Sequence, residues 1–98
     1  MTLPLKGTLS PEDTTSPVFQ FNGEVCILIE GGSGTVEIQR SLRGSEFKAL
    51  TDTLGNKVAY EANDDVALNA EIACNHSSCS YRIVATEVSA PINYIICK

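Results

Sequence analysis

Gly34–Asp52 reads GTVEIQRSLRGSEFKALTD. Val36, Ile38, Arg40 and Leu42 alternate with Thr35, Glu37, Gln39 and Ser41. A period of two marks a strand with one face turned inward. Arg43-Gly44-Ser45 breaks the run with turn residues, and a second short alternation around Phe47 and Leu50 follows. Two strands joined by a Gly-containing turn read as a β-hairpin. Val36, Ile38 and Leu42 form the expected core face of this hairpin. Arg40 shares their phase. A buried arginine must be paired, so the expectation for Arg40 is a packed stem with its guanidinium in solvent.

Working outward, the chain keeps the same character on both sides. Val25–Ile29 is an uninterrupted apolar run between Asn22-Gly23 and the Gly31–Gly34 glycine cluster. Such a run predicts a strand covered on both faces. Val18–Phe21, Val58–Glu61, Val66–Ile72, Tyr81–Val88 and Ile92–Cys97 are further strand candidates, separated by turn clusters such as Asn63-Asp64-Asp65 and Ser89-Ala90-Pro91. About seven or eight short strands at even spacing predict an all-β protein, a single antiparallel β-sandwich of Ig-like or jelly-roll-like type. No helix and no internal repeat is read. Residues 1–17, with Pro4, Pro11 and Pro17, have little pattern and read as an extended N-terminal arm on a sandwich domain spanning 18–98. Leu3, Leu5 and Leu9 are the arm's large apolar residues besides Met1. So apolar-poor an arm is expected to lie on its own domain or on a neighbouring chain, and the preferred reading is that these leucines bind a partner chain.

The 98 residues suit one domain that buries roughly two-thirds of its unfolded surface. A hydrophobic content of 43% fits a globular chain. A net charge of −5, with Lys and Arg scattered, argues against nucleic-acid binding, which needs a basic footprint. No apolar stretch approaches the ~20 residues of a membrane-spanning helix. Met1–Lys6 lacks the charged and apolar regions of a secretory signal, so synthesis in a cytoplasm is expected.

No catalytic or metal site is expected. Cys74-Asn75-His76-Ser77-Ser78-Cys79 holds metal-ligand residue types, but zinc usually takes spaced pairs and no second pair lies nearby. Two readings of Cys74 and Cys79 stand open: a disulfide across the four-residue loop, or reduced thiols in keeping with a cytoplasmic origin. Cys26 reads as a core thiol. Its pairing with Cys97 depends on a register that the sequence leaves open. Asp64 and Asp65 read as turn formers rather than an acid–base pair. Gly31–Gly34 leads into a strand, so it lacks the helix N-terminus of a phosphate-binding loop. No cofactor and no small-molecule substrate is expected.

At Gly34–Ser41, with Gly44, Phe47, Thr51 and Asp52, the sequence resembles a family of small tailed-bacteriophage virion proteins carrying a pattern of the type GTVxLQRSxDGGxxWxxVTD. Tyr81-Arg82-Ile83 and Ile92-Asn93-Tyr94 are similar to the family's later YRL and INY elements. The likeness spans roughly residues 34–96. Arg43, Ser45 and Phe47 depart from it, standing where the pattern has Asp, Gly and Trp. The resemblance implies a virion β-sandwich whose hairpin is clamped by Phe47, buried under the turn. It implies a capsid decoration, or cement, protein on the virion surface that binds the major capsid protein and itself, as a homotrimer. A tail or head–tail adaptor component is the alternative within virions. A receptor- or carbohydrate-binding sandwich is the alternative outside that class, although 6% aromatic content with no Trp disfavours sugar stacking.

Overall fold

The computed structural model describes residues 3–51, 54–74 and 79–97. Eight strands follow one another: β1 (Leu5–Leu9), β2 (Gly23–Glu30), β3 (Ser33–Leu42), β4 (Lys48–Ala49), β5 (Ala59–Ala62), β6 (Ala67–Cys74), β7 (Cys79–Ala90) and β8 (Ile92–Cys97). They form two antiparallel sheets. Sheet A has the order β1-β8-β2-β6. Sheet B is centred on β3, which pairs with β7 along one side and with β5 and then β4 along the other. The described residues contain no helix. The fold is the all-β sandwich that the alternating pattern predicts.

Period-two patterning accounts for the core. Val25, Ile27 and Ile29 of β2, Ile92, Tyr94 and Ile96 of β8, Val36 and Ile38 of β3, and Tyr81, Ile83 and Ala85 of β7 turn inward and are buried. Cys26 and Leu28, between the inward residues of β2, are only half-buried. The expectation that β2 is covered on both faces is therefore corrected: its inward residues are buried and its outward ones are not.

The Gly31-Gly32 corner carries the chain from sheet A to sheet B with φ of 76° and 77°. A Cβ on Gly32 would lie 2.2 Å from the Pro91 carbonyl oxygen, so this corner packs directly on the β7–β8 corner. Glycine is required there by both conformation and space.

The predicted boundary between an arm and a domain does not hold. Leu5–Leu9 is β1, an edge strand of sheet A paired with β8 in the register Leu5↔Ile96 to Leu9↔Ile92. The following segment lies along the free edge of β7. Ser16 N–H donates to the Ile83 carbonyl, Phe19 and Tyr81 exchange both backbone hydrogen bonds, and Ala85 N–H donates to the Thr14 carbonyl. An unpaired sheet edge leaves a row of backbone donors and acceptors unsatisfied, and residues 14–19 cover that edge. Phe19 then stacks with Tyr81 at a centroid distance of 6.0 Å, and Phe21 packs on the same ring, tilted, at 4.9 Å.

Candidate binding surfaces

Leu3, Leu5 and Leu9, expected to contact a partner, face this domain's own interior. Leu9 is 1% exposed, and Leu3 and Leu5 pack against the core cluster. The physical reason is strand phase: Leu5, Gly7 and Leu9 share the inward face of β1, leaving Lys6 and Thr8 outward.

The β3–β4 hairpin exists, with Gln39 opposite Ala49 and Arg40 opposite Lys48. Val36 and Ile38 are fully buried as expected. Leu42 is corrected: it is 50% exposed. It is the last residue of β3, and Arg40 in the same phase is already exposed, although their β7 partners Cys79 and Tyr81 are buried. Cover of the inward face therefore ends on the β3 side of sheet B before it ends on β7. Phe47 is also corrected. Ala49 pairs with Gln39, which points away from the core, and Phe47 stands two residues from Ala49 and so shares that outward phase. Its half-exposed ring lies beneath the Arg82 guanidinium, 4.2 Å from carbon to centroid.

Phe47 thus belongs to a polar row on the outer face of sheet B. Arg82 Nε donates to Gln39 Oε1 at 2.7 Å, and Gln39 Nε2 donates to Glu37 Oε2 at 2.8 Å. Lys57 Nζ lies 3.9 Å from Glu37 Oε1. The turn at the end of the hairpin is closed by Ser41, whose hydroxyl donates to the Ser45 carbonyl, and by Leu42 N–H, which donates to Ser45 Oγ at 3.0 Å.

The outer face of sheet A differs in character. Leu28 and Ile95 form a small apolar centre beside a shallow groove bordered by Glu30, Asn69 and Asn93. Thr8 Oγ1 donates to Asn93 Oδ1 at 3.0 Å along its β1 side. At one corner of the sandwich, Asp64 Oδ1 accepts from Gly32 N–H at 3.0 Å and Asn63 Oδ1 accepts from Asp65 N–H at 2.9 Å. The second is a turn-forming bond, as read from the sequence, whereas the first ties this turn to the β2–β3 corner.

All four cysteines are thiols in this structure. Burial foremost raises the Cys79 thiol above its ordinary value, and contact with Cys74 adds to this. Burial likewise raises Cys26, with Cys97 and Glu71 contributing. The Tyr81 hydroxyl is pushed far up, first by burial and then by Cys74 and Cys79. His76, the third residue of the Cys74–Cys79 loop considered for metal, lies outside the described residues. Among the described residues no three of His, Cys, Asp and Glu are grouped to hold a metal ion.

No protein-family model matches this chain, and none of the curated proteins does. Among solved structures it is similar to the CBM22-1 xylan-binding domain from Paenibacillus barcinonensis Xyn10C, at 13% identity over 96% of this chain and 70% of that one, with a TM-score of 0.45. A likeness of that degree carries no argument about what this chain binds.

Proposed function

We propose that the protein works by binding alone, as a capsid decoration protein of a tailed-phage virion that joins neighbouring subunits of the major capsid protein from outside. The observation that carries this reading is the fate of the residues in the phage-like pattern. Val36 and Ile38 fill the core, Ser41 ties the turn, Gly44 sits at φ 76°, and Gly34 passes close beneath Thr86 of β7. These positions build β3 and the turn that follows it, so this part of the pattern acts as a signature of that hairpin's construction. This supports a shared design with the virion sandwiches that carry it.

With Leu3, Leu5 and Leu9 turned inward, the contact surface on this reading is the outer face of sheet A. Its apolar centre at Leu28 and Ile95, bordered by Asn69, Asn93 and Glu30, has the apolar middle and polar rim of a modest interface. Many copies in a fixed lattice would turn weak single contacts into a strong cage. A ligand that binds the assembled shell and not its free subunits stabilises the shell by mass action.

The test heats particles that carry the protein beside particles depleted of it. Depleted particles should assemble and package DNA but release it at a lower temperature. Equal release temperatures would overturn the decoration reading. Full, stable heads that fail to join tails would point to the neck or tail instead.

A further inference from the structure

We infer that the four cysteines make two built-in disulfide sites, Cys26–Cys97 and Cys74–Cys79, which close on exposure to a small-molecule disulfide and staple the sandwich at one end. The inference is independent of the proposed virion role. Cys26 and Cys97 stand directly opposite each other on β2 and β8. Opposed residues of an antiparallel pair have Cα atoms about 4.5 or 5.5 Å apart, depending on the site. Both values fall in the range that a disulfide accepts. Both side chains lie on the outer face of sheet A, because Val25, Ile27 and Ile96 occupy its inner face. Cys97 lies near enough to Cys26 to be among the groups that hold its thiol protonated.

Cys74 and Cys79 differ in setting. Cys74 ends β6 in sheet A, and Cys79 begins β7 in sheet B. Both continue the inward phase of their strands, after Ala70 and Ile72 and before Tyr81 and Ile83. Cys74 lies near enough to Cys79 to help hold its thiol protonated. This bridge would join the two sheets, while Cys26–Cys97 would tie the C-terminal strand to the middle of sheet A.

The two pairs lie on opposite sides of sheet A. Four cysteines allow three connectivities, and the other two would each require a bridge through the sheet. The geometry therefore admits one pairing. Chemically, one thiolate of a pair attacks a sulfur of glutathione disulfide, forming a mixed disulfide and releasing one glutathione thiolate. The second cysteine gives its proton to solvent and attacks the mixed bond, releasing the second glutathione. Two protein thiols are oxidised to one bridge and one glutathione disulfide is reduced to two thiols. A chain made with thiols in a reducing cytoplasm would lock after reaching an oxidising medium.

The folded protein is incubated with glutathione disulfide at neutral pH, quenched with acid, alkylated, digested and mapped by mass spectrometry. The expected product has lost four hydrogens, with Cys26 linked to Cys97 and Cys74 linked to Cys79. It should melt about 10 °C above the reduced form. Cys26→Ser and Cys97→Ser should each retain the Cys74–Cys79 bridge and lose the other. Full alkylation of all four residues, a stable glutathione adduct at either pair, mixed connectivity, or equal melting temperatures would overturn the inference.

Discussion

Two residues of the hairpin turn carry opposite lessons. Arg43 has a φ of 55° and Gly44 a φ of 76°, and Ser45 N–H donates to the Leu42 carbonyl at 3.1 Å. Positive φ at both central positions is the type I′ geometry that favours Asn-Gly or Asp-Gly. Arginine there bears the left-handed penalty that Asn largely escapes. Arg43→Asn should therefore stabilise the protein by roughly 0.5–1 kcal/mol, read as a small rise in melting temperature. A fall would mean that the Arg43 side chain makes a contact worth more than the strain. Phe47 lies at the same hairpin, and its partner is a cation rather than the core. Phe47→Ala should cost only about 1 kcal/mol, where full burial would predict about 3–5. A double-mutant cycle with Arg82→Ala should return a coupling of roughly 0.5–1 kcal/mol. Zero coupling would show that ring and guanidinium merely lie near each other.

At the scale of elements, β1 changes what the first residues mean. Leu9 sits against Ile92 on the inward face of sheet A, so Leu9→Ala should cost about 2–5 kcal/mol. Lys6→Ala, facing out on the same strand, should stay within about 0.5 kcal/mol. Urea melts of the two variants separate an integral strand from a detachable arm, and equal, small effects would restore the arm. The sandwich itself was legible in the sequence, because alternation in β3, β7 and β8 directly encodes which side chains are covered. The role of β1 was not. Leu5 and Leu9 alternate with Lys6 and Thr8, but five residues among prolines and polar residues make a faint signal. What holds them is β8, far away in the chain. Leu42 and Phe47 were misread for a related reason. Periodicity gives the phase of a strand but neither how far along it the inward face stays covered nor which residue a two-residue strand such as β4 sets opposite its partner. The approach of Cys26 to Cys97 is likewise a matter of register between distant strands.

For the whole molecule, the ionisable groups displaced upward by burial act together. Burial is the leading cause at Cys26, Tyr60, Cys79, Tyr81 and Tyr94, and the Asp13 charge adds to it at Tyr94. In each case the fold favours the neutral form. The unfolded chain ionises near the ordinary values, 9.0 for the thiols and 10.0 for the phenols. Their contribution to stability is thus fully present below about pH 9, and it is lost as pH rises through those values toward the higher ones of the folded state. Melting temperature, followed with reductant present to keep the cysteines as thiols, should be level from about pH 7 to 8.5 and then fall steadily to about pH 11. Tyr81 should account for a visible share, since its hydroxyl is the furthest displaced and lies against Cys74 and Cys79. Tyr81→Phe keeps the ring that packs on Phe19 and Phe21 but removes the proton. The variant should show a shallower alkaline decline than the parent, whatever its stability at neutral pH. Parallel curves would remove Tyr81 from the account, and a parent curve flat to about pH 11 would show that the buried hydroxyls and thiols are as free to ionise in the fold as outside it.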